Sequence, residues 1–398
     1  MPSLPTQTNA RLLPDDGCAG TLIGRAWLPE ALTGGPAGPA PVWVHSDGVF
    51  DLSPLAPTCA ALIERGLQRD DFKTAGLRRL TGSEALIANT LAASRDPASP
   101  WLLAPVDLQV IKACGVTFMC SMLERVIEER AGGDAAKAEA VRQLIGERIA
   151  GGISGVRPGS PEADELKAIL QSQGIWSQYL EVGIGPFAEV FTKAPVLSAV
   201  GTGEQVGLHP ASNWNNPEPE VVLLVDPAGQ VVGATLGNDV NLRDIEGRSA
   251  LLLGKAKDNN ASCALGPLIR LFDDTFTIDD VRRMRVQVTV EGEDGFQLDA
   301  ASDLGQISRD VLDLVAQTMG AHHQYPDGIA LFTGTLFAPT QDRDGPGQGF
   351  THHLGDVVQI SSPQLGTLTN RVTLSTLAPP WQFGLSALMT NLAARRLL

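Results

Sequence analysis

Positive charge is in short supply: 30 Lys and Arg stand against 45 Asp and Glu in 398 residues, a net charge of -15. Phosphate backbones and anionic membrane surfaces are held by clustered lysine and arginine, so nucleic acid and membranes are poor partners. Long apolar runs are missing as well, and nothing approaches the roughly 20 residues of a membrane span. The start, "MPSLPTQTNARLLPDDG", has no positive region followed by an apolar core, and the expectation is a cytoplasmic protein. The five cysteines, Cys18, Cys59, Cys114, Cys120 and Cys263, are odd in number and form no Cys-x-x-Cys pair. Buried free thiols in reducing surroundings are expected. Tandem repeats and low-complexity tracts are also absent. With 43% hydrophobic and 19% charged residues, the composition is that of a globular protein with one large core and a smaller domain.

Residues 1–105 are rich in Gly, Pro and Ala, with short apolar runs such as "PVWVHSDGVFDL" broken by turn residues, and predict a small β-rich domain. "SRDPASPWLLAPVD" reads as a linker into a second domain, 106–398. There "SMLERVIEERA" carries Leu123, Val126 and Ile127 on one helical stripe, and "DAAKAEAVRQLIGERIAGG" continues the helical pattern. A third helix is expected after Ser160 and Pro161, ending at Gly174. Beyond it "EVVLLVDPAGQVVGATLG", "RVQVTVEGEDGFQLD" and "GDVVQISSPQLGTLTNRVTL" read as strand pairs, interrupted by helices over 243–257 and 308–320. Antiparallel strands with interspersed helices predict an α+β fold on a rolled or sandwiched sheet.

The segment "NNPEPEVVLLVD" sets Glu218 and Glu220 at the entry of a buried strand. Alternate side chains share a face, so the two carboxylates lie about 7 Å apart along the strand and repel. They are either solvated at a strand edge or neutralised by a partner. Asp239 closes the returning arm in "LGNDVNLRD" and can face the same space. Three converging carboxylates call for a cation between them. An all-oxygen set with open positions suits Mg²⁺ or Mn²⁺ better than Zn²⁺. "RDIEGRSALLLGKAKDNNASCALGP" adds Arg243 and Lys257 and ends in a Gly-Pro turn. Burial beside a metal would lower the Lys257 pKa and allow it to act as a base or to bind an anion; a surface lysine is the alternative. Thr335, after an apolar segment, either holds a carboxylate with neighbouring backbone N–H groups or only caps a turn.

Glu218-x-Glu220, Asp239-x-x-x-Arg243-Asp244, Lys257 ahead of Gly266-Pro267, and Gly334-Thr335 recur in this order in the fumarylacetoacetate hydrolase superfamily, which the chain from about 110 to 398 resembles. "WNNPEPEVVLL", "KAKDNNASCALGP", "HQYPDG" and "QDRDGPGQGFTH" are similar to its sugar-acid branch, a likeness that extends over nearly the whole chain. The resemblance implies a mixed β-sandwich roll, metal ligation by Glu218, Glu220 and Asp239, and substrate contacts from Ser121, Arg243, Lys257 and Thr335. It places Glu189 and Lys193 near the pocket and implies proton transfer by Lys257 with Glu189 or Glu124, and association as a dimer or tetramer. Hydrolases of the family carry Asn-Tyr-x-x-His-x-x-Glu, where the histidine activates water; here the text is Thr117-Phe118-x-x-Ser121-x-x-Glu124. Ser121 cannot serve as that base, and the six histidines (His45, His209, His322, His323, His352 and His353) lie elsewhere; the adjacent pair His352–His353 reads as loop polarity. Elimination of water from a 2-keto-3-deoxy pentonate, giving 2,5-dioxopentanoate in pentose catabolism, is the activity implied. Cleavage of a 2,4-diketo acid with the same metal is the alternative enzyme, and a silent sugar-acid binder the non-enzymatic one.

Overall fold

The computed structural model describes residues 12–134, 137–138, 156–172, 174, 176–337 and 339–398. The helix expected over 134–152 falls almost wholly outside them. In chain order the strands are β1 (Thr21–Leu28), β2 (Gly38–His45), β3 (Gly48–Asp51), β4 (Arg79–Thr81), β5 (Trp101–Leu102), β6 (Val110–Gly115), β7 (Glu189–Ala194) and β8 (Gln205–Leu208). They continue with β9 (Pro219–Val225), β10 (Val231–Asp239), β11 (Cys263–Leu271), β12 (Arg285–Glu291), β13 (Gln297–Asp303), β14 (Ile329–Phe332), β15 (Val357–Ser362) and β16 (Gly366–Leu374). An 11-stranded sheet runs β4-β3-β2-β1-β11-β10-β9-β14-β6-β7, with β5 beside β1, and a five-stranded sheet runs β13-β12-β15-β16-β8. This is the α+β class: two mixed sheets with helices between and around them. No helix among the described residues is long and apolar enough to cross a membrane.

The apolar run of β9 is buried on both faces, which explains why it is continuous rather than alternating. Val221, Leu223 and Val225 join the core facing the five-stranded sheet, with Val286, Val288, Val290, Ile360 and Leu368. Val222 and Leu224 enter the opposite core with Ile111, Ala113, Leu265 and Phe332. In β12 the pattern alternates instead, Val286, Val288 and Val290 inward and Arg285 and Gln287 outward, as a half-exposed strand requires. The helix Pro161–Ser172 starts with the Ala163 N–H donating to Ser160 Oγ at 3.3 Å, and Gly174 follows in the left-handed region.

Three local expectations are corrected. Gly266-Pro267 is not a turn but lies inside β11, where the pairing with β10 shifts register between Ala234 and Leu236; a proline is tolerated in a strand at such an irregularity. "SRDPASPWLLAPVD" is more than a linker, since it contributes β5 and β1 in turn pairs with β11 of the main sheet. Among the cysteines only Cys59, Cys114 and Cys263 are buried; Cys120 is exposed and Cys18 half-buried.

The segment 339–356, with Pro339, Arg343 and Asp356, clamps the residues that precede the Glu218 strand. Thr351 Oγ donates to the Asn213 carbonyl at 3.2 Å, and the His352 N–H donates to Asn215 Oδ1 at 3.3 Å. Its anchor is Asp356, fully buried, which receives Arg343 Nη1 and Nη2 at 2.7 and 2.8 Å and lies 3.0 Å from His352 Nδ1. His353 bridges Asp294 and Asp344, so the histidine pair is held by buried and surface carboxylates and is not merely loop polarity. Burial works to raise the Asp356 pKa, but Arg343 and His352 outweigh it and hold it down at about 2. A carboxylate depressed in this way contributes stability above its unfolded pKa of about 3.9, and loses it as pH falls through about 2. Asp356→Asn should cost about 3 kcal/mol at pH 7 by leaving Arg343 under-paired. Urea unfolding at pH 7 checks the size, and at pH 2 the variant and the parent should converge.

Candidate metal centre

Strands β9 and β10 pair so that Gly237 lies opposite Glu220, while the Asp239 N–H donates to the Glu218 carbonyl at 3.0 Å. One carboxylate oxygen each of Glu218, Glu220 and Asp239 lies within 4.8 Å of the others, and all three residues are buried. The expected triad therefore forms at the mouth of a hairpin. It opens into a cleft whose wall includes Ser121, Glu124, Glu189, Arg243, Lys257 and Thr335, the remaining sequence candidates.

Charge in the cleft is unbalanced. Seven carboxylates, Glu124, Glu128, Glu189, Glu218, Glu220, Asp239 and Glu246, face Arg125, Arg243 and Lys257, with Lys193 beneath Asp239. Lys257 bonds Glu218 Oε2 and lies 3.1 Å from Asp239 Oδ2. Fully buried Lys193 lies 2.7 Å from Asp239 Oδ1. Burial would raise the Asp239 pKa, yet these two lysines keep it below the usual value. Glu220 has no ion pair among the described residues; it accepts the Gly334 N–H at 2.6 Å. Burial first, then Asp239 and Glu218, push its pKa well above the carboxylate range. A buried carboxylate that cannot ionise comfortably beside two others is what a bound divalent cation corrects, and the all-oxygen set fits such an ion. The residues present fit a metal.

Burial would depress the Lys257 pKa, as expected, but Asp239, Glu218 and Glu246 more than offset it and the pKa is raised. In this arrangement Lys257 is a held cation rather than a free base. Glu189 is the opposite case: burial, then Glu246, raise it to about 7 against the pull of Arg125 and Lys257. Its carboxylate rests on Gly115, where a Cβ would come within 2.1 Å of Glu189 Oε2. Gly334 is required for a different reason: its φ is +88°, and a Cβ there would meet Thr117 Oγ at 2.0 Å. Thr335 Oγ accepts the Phe337 N–H at 3.1 Å, and Ser121 Oγ donates to the Phe118 carbonyl at 2.9 Å. The Arg243 nitrogens go to Glu128 Oε1 (2.7 Å), Glu124 Oε2 (3.2 Å) and the Pro339 carbonyl (3.2 Å), with the guanidinium 4.2 Å over the Trp214 ring.

Glu246, which stands beside Arg243 in the sequence cluster, also lines the cleft; Arg125, Glu128 and Asn216 do so too and were missed from sequence. A signal existed. Ser121, Glu124, Arg125 and Glu128 fall at i, i+3, i+4 and i+7 of the helix Met119–Ala131, a polar stripe on one face. The apolar stripe, expected as Leu123, Val126 and Ile127, is buried at Met122, Val126 and Ile127, with Leu123 only half-buried. Among the described residues no histidine lines the cleft.

Comparison with known proteins agrees with this frame. Residues 186–373 match the fumarylacetoacetate (FAA) hydrolase C-terminal family. A probable 2-keto-3-deoxyxylonate dehydratase of Haloferax volcanii is 32% identical over 195 residues, 49% of this chain and 63% of that protein. The 2-dehydro-3-deoxy-D-arabinonate dehydratase of Saccharolobus solfataricus is 28% identical over 184 residues, 46% of this chain and 58% of that protein. The chain thus spans less than two thirds of the length of either relative. A solved 2-keto-3-deoxy-D-arabinonate dehydratase with magnesium and 2,5-dioxopentanoate shares the fold, with a TM-score of 0.60 and 19% identity over 89% of this chain and 99% of that one.

Proposed function

We propose that the protein is a magnesium-dependent dehydratase that converts 2-keto-3-deoxy-D-xylonate, or a close pentonate, to 2,5-dioxopentanoate. The observation that carries the reading is a three-carboxylate centre whose cleft has a carboxylate of pKa about 7 and, among the described residues, no histidine to activate water. The names of the two curated relatives support the same class. Magnesium on Glu218, Glu220 and Asp239 supplies the positive charge that makes the C3 hydrogen of a 2-keto acid removable. Glu189 is the group suited to take that proton. Lys257, held protonated, and Thr335 position the keto acid. The C4 hydroxyl leaves as water, giving a C3=C4 double bond; moving one hydrogen from C5 to C3 gives a C4=C5 enol, whose hydroxyl proton then passes to C4 to leave the aldehyde at C5. The reading includes a cytoplasmic homo-oligomer, for which exposed Leu377, Trp381, Leu385 and Met389 offer apolar surface.

The test is product identification with 2-keto-3-deoxy-D-xylonate and Mg²⁺. The expected product is the semialdehyde, with activity abolished by chelator and restored by Mg²⁺. Cleavage of a 2,4-diketo acid with no turnover of the sugar acid would instead make the protein a hydrolase of the same family.

A further inference from the structure

Two arginines face the cleft, and their hydrogen bonds differ in one respect. Every nitrogen of Arg243 is engaged by a group outside the metal triad: Glu124, Glu128 and the Pro339 carbonyl. Arg125 is split. Its Nη1 lies 2.6 Å from Glu128 and 2.7 Å from Glu246, whereas its Nη2 donates to Glu218 Oε1 at 2.6 Å. Glu218 is one of the three residues that would hold the metal. A divalent cation on Glu218 competes with Nη2 for that carboxylate and repels the guanidinium. The pairs to Glu128 and Glu246 lie outside the triad, so a cation that drew Glu218 away would leave Arg125 anchored at Nη1 with Nη2 beside the metal.

We infer that Arg125 is a substrate-binding residue armed by the metal: without metal it serves as a counter-cation for Glu218, and with metal its freed Nη2 receives the carboxylate of a 2-keto acid. A planar guanidinium held at one nitrogen presents the other in a fixed direction, which a lysine cannot reproduce. The inference rests on the proposed function only in taking a 2-keto acid as the ligand.

The test is calorimetry with Mg²⁺ alone and then with pyruvate, a minimal 2-keto acid, on the Mg²⁺-loaded protein. Arg125→Lys, and Arg125→Gln combined with Glu246→Gln so that the buried charge stays matched, should bind Mg²⁺ at least as tightly as the parent. Pyruvate binding should weaken about tenfold or more, the loss of one charged hydrogen bond, and turnover should suffer through KM before kcat. Mg²⁺ binding that weakens in parallel would assign Arg125 a purely structural role and overturn the inference. Unchanged pyruvate affinity, or a parent protein that binds no pyruvate, would overturn it too. If the parent binds pyruvate through Arg125 yet leaves the sugar acid unconverted, the proposed reaction fails and this assignment stands.

Discussion

Glu220→Gln and Asp239→Asn should move the stability of the metal-free protein in opposite directions while both abolish Mg²⁺ binding. Asp239 is paired with two buried lysines, Lys193 and Lys257. Neutralising it leaves both ammonium groups short of a counter-charge, which should cost about 3–5 kcal/mol. Among the described residues Glu220 has no cation paired with it, and it repels Asp239 and Glu218. An acid whose folded pKa is raised destabilises the fold increasingly as pH rises above its unfolded value of about 4.3. Glu220→Gln removes that cost, so its stabilisation should be absent near pH 4 and grow toward neutrality. Urea unfolding without metal at the two pH values measures both effects. Equal destabilisation by the two substitutions would mean that the triad is a structural ion cluster and not a cation site. With saturating Mg²⁺, at about 100 times Kd, the parent should gain about 2.7 kcal/mol and neither variant should respond.

Glu189→Gln should reduce kcat by two to four orders of magnitude, the usual contribution of a positioned general base, while leaving Mg²⁺ affinity near that of the parent. Glu189 is not one of the triad carboxylates, and its pKa of about 7 is set mainly by burial. It accepts a proton only when ionised, so kcat/KM in the parent should climb with pH and level off. Bound Mg²⁺ adds positive charge and stabilises the carboxylate, placing this limb at or below pH 7. Glu124→Gln should keep the limb, and Glu189→Gln should erase it. A limb that survives in Glu189→Gln and disappears in Glu124→Gln would transfer the base role to Glu124. Without metal Lys257 is a poor base, because Asp239 and Glu218 hold its proton in place against the effect of burial.

The metal triad was legible because it depends on one strand pair. The two-residue period of an extended chain places Glu218 and Glu220 on one face, and the Pro-Ala-Gly turn returns the chain to Asp239. The buried run of β9 and the alternation of β12 announced themselves in the same way. Gly266-Pro267 misled for a physical reason. Its local preference is a turn, but β11 is flanked by β1 and β10, and pairing on both sides holds the segment extended around a register shift. Arg125 was overlooked although its helical spacing with Ser121, Glu124 and Glu128 is plain in the text. A polar stripe on a helix is ordinarily a solvated face, and this one is a cleft wall because Arg125 reaches Glu218 while Glu124 and Glu128 receive Arg243.

Sequence alone therefore determined the carboxylate triad: three acidic residues on one hairpin, fixed by local periodicity over 22 residues from Glu218 to Asp239. Tertiary structure decided which charges answer them. Lys193 lies on β7, Lys257 just before β11, and Arg125 on a helix 93 positions before Glu218. Ion pairing acts over a few ångströms in space and has no period along the chain. The identity of the paired cations, the isolation of Glu220 and the reserve position of Arg125 emerge only once the sheets have closed around them.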